Sequence, residues 1–226
     1  MRLYSFTLLR FQLVSGGEHG VLGKHARGID RGEVQLKIIE GYGQLRAAQH
    51  ECVRAALLHG VTASGKTQVY IRLIEEALTR GKTAMLLVPE IALTPQMLRR
   101  FTAQFGSDVA MLHSALPLTE RYDQWKRIRR GEVRVVLGTR SAVFAPLQNL
   151  GLIILDEEQE TSYQSENPPR YHARDVAQFR CAQNDALLLL GSATPDVESR
   201  WRAEQGSYAY FTLSRRFNEQ LSLIHI

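Results

Sequence analysis

Residues 59–70 read HGVTASGKTQVY, and within them GVTASGKT fits the pattern G-x-x-x-x-G-K-[ST] at every fixed position. Glycines at positions 60 and 65 let the backbone curl so that several N–H groups point at one phosphate chain. In such a loop Lys66 reaches the β- and γ-phosphates of a nucleotide, and Thr67 offers its hydroxyl to Mg²⁺. The stretch therefore predicts a loop that binds ATP with Mg²⁺, formed by Gly60, Val61, Thr62, Ala63, Ser64, Gly65, Lys66 and Thr67.

The segments on either side of the loop indicate a strand followed by a helix. The apolar run ALLHG leads into the loop, and TQVYIRLIEEALTRG then places apolar residues near helical spacing, with Gly81 as the expected end. A helix that starts at the loop adds the positive end of its dipole to the phosphate site. A chance match in an ordinary turn is the alternative, and the flanking strand and helix favour the phosphate-binding loop.

Apolar runs and amphipathic segments alternate through the rest of the chain. The runs that we interpret as strands are residues 83–89, 108–114, 133–139, 150–158 and 186–194. The segments that we interpret as helices are residues 94–106, 118–131, 171–184 and 195–206. Strands that are apolar along their whole length are typical of a parallel sheet. The sequence therefore predicts an α/β fold with a mostly parallel sheet and helices on both faces.

Hydroxyl residues stand where several of these helices are expected to begin. Thr94, followed by Pro95, predicts a capped helix start, and Thr119 is expected to cap the next helix. Thr194, followed by Pro195, has the same arrangement before the last helix.

The segment LIILDEEQ places two carboxylates at the end of a predicted buried strand. Asp156 is positioned to hold Mg²⁺ through water, and Glu157 to orient or deprotonate the attacking water. An acidic strand end that caps a neighbouring helix is the alternative. The phosphate loop on the same edge of the sheet favours catalysis, so Lys66, Asp156 and Glu157 are the candidate catalytic residues, with Thr67 and Asp156 as candidate Mg²⁺ ligands.

Two further strand ends carry small and hydroxyl residues. GSATP, with Ser192, Ala193 and Thr194, ends a strand beside the other two motifs, and a plain strand-to-helix turn explains it as well. GTRSAVFAP offers backbone amides, Thr139 and Arg140, which suit contacts to nucleic-acid phosphates. The basic helix around Trp125 is better explained as a solvated face.

The overall composition of the chain restricts its possible functions and cellular locations only weakly. The chain has 226 residues and a net charge of +5, a modest excess that supports a polyanionic partner only weakly. Its two cysteines, Cys52 and Cys181, favour a reducing compartment and provide neither a zinc knuckle nor a disulfide framework. No apolar run reaches the ~18 residues of a membrane span, and the N-terminal segment does not read as a signal peptide.

Seven segments, taken in order, resemble the PriA family of bacterial replication-restart helicases (primosomal protein N′), within helicase superfamily 2. The segments, which lie between Leu57 and Phe217, are GVTASGKTQVY, LLVPEIALTPQ, LHSALPLTERYDQW, GTRSAVFAP, LIILDEEQETSY, PPRYHARDVAQFR and LGSATPDVES. The resemblance implies a RecA-like P-loop NTPase lobe, the first of two in such helicases. It also implies cytoplasmic ATP hydrolysis coupled to 3′→5′ movement on forked or single-stranded DNA, with primosome proteins and single-stranded DNA-binding protein as partners.

The resemblance also implies roles for residues outside the phosphate loop. Thr139 and Arg140 would lie along the DNA strand, and Ser192, Ala193 and Thr194 would couple the DNA site to the ATP site. The family usually has histidine where this chain has Gln159, a position that helps the same coupling. A related translocase, the transcription-repair coupling factor, is similar to this chain at that position. The segment between AAQHE and the phosphate loop is shorter than the family's, so the resemblance does not assign a contact with adenine to Gln49 or Gln44.

The expected domains are an N-terminal stump or linker at residues 1–45, the helicase lobe at 46–217 and a tail at 218–226. We interpret the tail as artefactual, because one reading frame of a common sequencing adapter encodes its last residues, LSLIHI; a real apolar tail is the alternative. The second lobe and a zinc-binding cysteine cluster would lie beyond the chain. A non-catalytic nucleotide-binding module and a small-molecule kinase remain as other functions.

Overall fold

The computed structural model describes residues 55–213. The strands are β1 Ala55–Gly60, β2 Thr83–Leu87, β3 Val109–Leu112, β4 Val135–Gly138, β5 Leu150–Asp156, β6 Leu187–Ser192 and β7 Ala209–Leu213. The helices are α1 Lys66–Thr79, α2 Pro95–Phe105, α3 Leu118–Arg129, α4 Ala173–Asn184 and α5 Val197–Glu204. The predicted segments 1–45 and 218–226 lie outside the described residues, as do Gln44, Gln49 and Cys52.

Within residues 55–213 the strands form one seven-stranded sheet in the order β3-β4-β2-β5-β6-β1-β7, and every neighbouring pair is parallel. This arrangement confirms the predicted α/β fold. It places β1, β5 and β6 side by side. Because these strands are parallel, the phosphate loop, the carboxylate pair and GSATP all lie at the carboxyl ends of neighbouring strands.

A separate apolar core covers each face of the sheet. On one face α1 and α2 pack through residues such as Val69, Ile74 and Phe101. On the other face α3 and α4 contribute Ile128 and Ala177, which pack against strand residues such as Leu155. Helices therefore lie on both faces, as predicted, and the strands β1, β2, β4, β5 and β6 are apolar on both sides because both sides are buried. None of the helices within residues 55–213 combines the length and apolar character that crossing a membrane requires.

Strand β7 is the element that the sequence patterns missed. It pairs with β1 at the edge of the sheet, and its first residues, Ala209 and Tyr210, are exposed. An edge strand that is partly exposed needs no continuous apolar run, so the pattern used for the other strands does not detect it.

One of the three predicted helix caps is confirmed. The Thr94 hydroxyl accepts a hydrogen bond from the Met97 N–H at 3.2 Å, with Pro95 as the first residue of α2.

The other two predicted caps are wrong. Helix α3 begins at Leu118, directly after Pro117 in the cap position, so Thr119 lies inside the first turn. Helix α5 begins at Val197 with Asp196 in the cap position, so Thr194 does not cap it. The reason is tertiary: the Asp196 N–H donates to the carboxylate of Glu158 at 2.9 Å, which holds the chain in an extended conformation past Pro195.

Candidate nucleotide-binding and catalytic site

The loop between β1 and α1 is tightly curled. Ala63 and Gly65 have left-handed backbone, with φ angles of 62° and 93°, and the Ser64 N–H donates to the Val61 carbonyl at 3.0 Å. A Cβ atom at Gly60 would lie 2.6 Å from the Ser64 hydroxyl oxygen and 3.1 Å from Cβ of Leu213, so a larger residue here would displace side chains of the turn and of β7. The loop ends where α1 begins, which aims the helix N-terminus at the concave side of the loop.

Lys66 is the first residue of α1 and is almost completely buried. Its ammonium group donates to the Gly60 carbonyl at 2.8 Å and lies 3.3 Å from a carboxylate oxygen of Glu157. The predicted phosphate-binding lysine and one of the predicted catalytic carboxylates are therefore in direct contact. A phosphate chain in the loop would compete with Glu157 for the ammonium group.

Asp156 is the last residue of β5, and two donors hold one of its carboxylate oxygens. Oδ1 accepts from the Tyr70 hydroxyl at 2.7 Å and from the Glu157 N–H at 3.1 Å. Burial raises the pKa of the Asp156 carboxyl above its usual value, and the Tyr70 hydrogen bond acts in the opposite direction. Burial and the nearby Asp156 charge also raise the pKa of Tyr70 well above its usual value.

A cavity of about 310 Å³ lies between the loop and the carboxylates. Its volume suits a small ligand. The structure brings together here most of the residues predicted to hold ATP, Mg²⁺ and the attacking water; the lining consists of residues 61–68, Arg100, Asp156 and Glu157.

The oxygen donors in this cavity fit a magnesium ion. Thr67 and Asp156 both line it, and Mg²⁺ in ATP sites is held by one or two carboxylates, substrate phosphates and water. Within residues 55–213 no group of three or more His, Cys, Asp or Glu side chains could hold a metal by itself. A metal here would therefore depend on phosphate oxygens for part of its coordination.

Gln159 and Ser192 connect the carboxylates to the end of β6. The Gln159 side chain donates to Glu157 at 3.1 Å and accepts from the Ser192 hydroxyl at 2.5 Å. The Ser192 hydroxyl in turn accepts from the Thr194 N–H at 2.9 Å, and the Ala193 carbonyl lies 3.2 Å from Nε2 of His59 on β1. The segment 192–194 is thus linked to the carboxylate motif and to β1, the strand that leads into the phosphate loop.

Thr139 and Arg140 follow β4 and do not line the cavity. Thr139 is only 3% exposed. The Arg140 guanidinium donates to the carbonyls of Ser162 and Gln164, at 3.0 Å and 2.6 Å, and so supports the segment that follows the carboxylates.

The sequence patterns did not predict three residues of the site. Arg100, on α2, lines the cavity and donates to the Gln68 side chain at 2.8 Å. Glu158 is 2% exposed and accepts hydrogen bonds from the Asp196 N–H and the Ser199 hydroxyl. Tyr70 reaches Asp156 from α1. Glu158 could have been found from the sequence, because it is the third acidic residue of DEEQ. Arg100 and Tyr70 could not, because in the sequence they resemble ordinary helix residues.

The parallel sheet, the curled loop after β1 and the carboxylates after β5 define a RecA-like P-loop nucleotide-binding lobe. The sequence profile of the DEAD/DEAH box helicases matches residues 43–200. The chain belongs to this helicase family.

Curated relatives of this chain include replication restart proteins named PriA. The protein of Bacillus subtilis is 54% identical over 165 residues, which are 73% of this chain and 20% of the relative. The protein of Treponema pallidum is 49% identical over 72% of this chain and 25% of the relative. The protein of Chlamydia pneumoniae is 46% identical over 81% of this chain and 24% of the relative. The chain spans about a fifth to a quarter of the length of these relatives.

Solved helicase structures share the fold. RecG bound to a three-way DNA junction aligns with a TM-score of 0.57 and 23% identity, over 83% of this chain and 24% of that chain. The helicase MrfA bound to DNA aligns with a TM-score of 0.52 and 17% identity, over 81% of this chain and 27% of that chain.

Proposed function

We propose that this chain is the ATP-binding first lobe of a DNA helicase that acts in replication restart and primosome assembly and moves 3′→5′ on DNA. The observation that carries the proposal is the meeting of Lys66 and Glu157, 3.3 Å apart, in a cavity lined by the phosphate loop and Asp156. The similarity to PriA proteins supports the choice of replication restart.

In this proposal each residue of the cavity has one task. The loop amides and Lys66 hold the phosphates, while Thr67 and Asp156 hold Mg²⁺, which neutralises the charge that develops on the phosphate oxygens. Glu157 orients the attacking water and accepts its proton. Since Lys66 contacts Glu157 in the structure, transfer of the ammonium group to a phosphate would leave this carboxylate available as a base.

The polymer substrate is forked or single-stranded DNA. We place Thr139 and Arg140 along the strand and assign Gln159 and Ser192–Thr194 to the coupling between the DNA and ATP sites. The contacts of Gln159 with Glu157 and Ser192 support that assignment. Primosome proteins and single-stranded DNA-binding protein are the proposed partners of the whole protein, in the cytoplasm, and any zinc site belongs to parts of that protein outside this chain.

A transcription-repair-coupling type of DNA translocase is the second candidate, because the position of Gln159 resembles that protein. Identities of 46–54% to PriA proteins favour the first candidate. Hydrolysis in helicases of this kind takes place between two lobes, and an arginine finger from the other lobe contributes about 10³–10⁵ in rate in related NTPases. We therefore infer that the chain alone binds MgATP weakly, as a non-catalytic module would, and turns it over at a negligible rate.

Titration of the 226-residue chain with a fluorescent ATP analogue tests this proposal. We expect saturable binding that Lys66→Ala weakens about tenfold or more, the equivalent of one charge-assisted hydrogen bond. Lys82→Ala is the matched control, because Lys82 precedes β2 at the opposite edge of the sheet and donates to Asn149. Equal affinities in Lys66→Ala and the unmodified chain would contradict the nucleotide site. Phosphate release that DNA stimulates to the rate of a complete motor would contradict the inferred inactivity of the isolated lobe.

A further inference from the structure

Tyr70 is a fully buried residue one helical turn after Lys66 on α1. Its hydroxyl donates to Oδ1 of Asp156 at 2.7 Å, across 86 positions of sequence. Both hydrogen bonds that residues 55–213 make to this carboxylate, from Tyr70 and from the Glu157 N–H, fall on Oδ1. The second carboxylate oxygen is therefore left for a ligand in the cavity, which Asp156 lines.

The space for the Tyr70 hydroxyl is built into the sheet. Asp156 on β5 pairs in register with Gly191 on β6. A Cβ atom at Gly191 would lie 1.8 Å from the Tyr70 hydroxyl oxygen and 2.9 Å from the ring carbon that bears it. Only glycine at this position admits the tyrosine, so α1, β5 and β6 together determine where the hydroxyl meets the carboxylate.

Helix α1 carries this tyrosine together with two residues of the proposed magnesium and phosphate site. Lys66 and Thr67 lie in its first turn, and Tyr70 follows one turn later on the same rigid element. The helix therefore holds the phosphate-binding ammonium, the proposed metal-binding hydroxyl and the donor that orients the carboxylate at constant separations. Hydrogen-bond partners that orient a ligating carboxylate in this way commonly change metal affinity or activity by about 10–100-fold when they are removed.

We propose that Tyr70 is a positioning residue for the magnesium site: it holds Oδ1 of Asp156 so that the other carboxylate oxygen faces Thr67 and the phosphates. The proposal rests on the proposed function, because it requires MgATP in the cavity. It assigns to Tyr70 no contact with the nucleotide itself. Its effect should therefore be confined to the part of the binding affinity that depends on the metal.

The test compares nucleotide binding by the 226-residue chain in Mg²⁺ and in EDTA, with Tyr70→Phe as the variant. Phenylalanine keeps the buried ring and removes only the hydroxyl. We expect the gain in affinity that Mg²⁺ provides to fall about tenfold in Tyr70→Phe. Affinity for ATP in EDTA should stay as in the unmodified chain. A gain from Mg²⁺ equal to that of the unmodified chain would overturn the proposal.

Tyr163→Phe is the matched control. Tyr163 is also a fully buried tyrosine, but its hydroxyl lies 2.7 Å from the main-chain carbonyl of Asp156 and 3.0 Å from that of Leu87, not at the carboxylate. If both hydroxyls acted only by stabilising the fold, the two variants would lose thermal stability and leave the same gain from Mg²⁺. We expect that gain to be reduced in Tyr70→Phe and unchanged in Tyr163→Phe, and equal reductions would overturn the proposal.

Two further measurements separate the proposal from its premises. In an Asp156→Asn background Tyr70→Phe should cause no additional loss of Mg²⁺-dependent binding, and an additional tenfold loss would contradict the proposed contact. In the unmodified chain, nuclear magnetic resonance of ¹³Cζ-labelled tyrosine should show that the Tyr70 hydroxyl exchanges slowly with solvent when MgATP is bound, because it is buried and hydrogen-bonded to Asp156. Fast exchange in that complex would overturn the proposal without any variant. Failure of the unmodified chain to bind ATP both with Mg²⁺ and in EDTA would instead contradict the proposed function.

Discussion

At the scale of single residues, Gln159 is the side chain that joins the carboxylates to the end of β6. Its amide donates to Glu157 and its carbonyl accepts from Ser192, so one side chain meets both motifs. A change in the position of the segment 192–194 would therefore move the amide that holds the proposed catalytic base. This contact is the physical basis for assigning Gln159 to coupling.

We expect Gln159→Leu, placed in the whole protein of which this chain is proposed to be a part, to lower the stimulation of ATP hydrolysis by single-stranded DNA about 30-fold. The reason is the loss of two hydrogen bonds worth about 1 kcal/mol each. Steady-state phosphate release with and without DNA measures the effect. Gln159→His is the comparison: greater stimulation would show that glutamine weakens coupling, and equal stimulation that the position tolerates it. Unchanged stimulation in Gln159→Leu would contradict the coupling role.

At the scale of elements, the starts of α2 and α3 show how similar sequences lead to different caps. Both helices have a threonine and a proline near their first turn. At α2 the threonine precedes the proline and its hydroxyl accepts from the Met97 N–H. At α3 Pro117 precedes the helix, which leaves Thr119 as an ordinary first-turn residue. The order of the two residues, more than their presence, decides which threonine caps a helix.

Thr94→Ala should lower the free energy of unfolding by about 1 kcal/mol, the usual cost of losing a threonine cap. Thr119→Ala should change it by less than about 0.5 kcal/mol, as an exposed substitution without a special contact does. Urea denaturation of the two variants, compared at equal m-values, measures both effects. Equal destabilisation by the two substitutions would show that the Thr94 hydrogen bond contributes nothing in solution.

At the scale of the whole molecule, an ionic cluster around the buried Glu158 ties the carboxylate motif to α4 and α5. Arg174 in α4 lies 3.4 Å from Glu158, 3.0 Å from Asp196 and 2.9 Å from Glu198. Burial alone would lower the pKa of Arg174. The hydrogen bond to Asp196 and the charges of the nearby carboxylates together outweigh burial, so the pKa is raised above its usual value. The cluster joins the end of β5 to α4 and α5, which follow it in the sequence. It therefore fixes the positions of these two helices relative to the carboxylate motif.

Arg174→Met should lower the free energy of unfolding by about 3–5 kcal/mol, because it leaves Glu158 buried without its cation. Arg202→Met is the matched control: Arg202 also pairs with Glu198, at 2.6 Å, but its side chain is 34% exposed against 12% for Arg174. That exposed pair should contribute less than about 1 kcal/mol. Thermal and urea unfolding measure the difference. A loss in Arg174→Met no larger than in Arg202→Met would contradict a structural role for the cluster.

Several features were predictable because their signals are local. The glycines and lysine of GVTASGKT, the apolar runs of the central strands and the cap at Thr94 each depend on residues within a few positions of one another. Strand β7 was not predictable in this way, since its first two residues are exposed at the edge of the sheet. The cap at Thr194 failed because Glu158, far away in sequence, binds the Asp196 N–H.

The sequence by itself determined the class of fold and the positions of the glycine loop and of the acidic end of β5, because apolar periodicity and glycine positions act over short stretches of chain. Only the tertiary structure decided that β5 lies beside β6 and that Lys66 contacts Glu157. It also decided that the Tyr70 hydroxyl donates to Asp156, in the space that Gly191 leaves free. These contacts join residues far apart in the chain, and they depend on strand order and on the space that one glycine leaves. No local pattern carries that information, since sheet order is set by how all the strands and helices pack together.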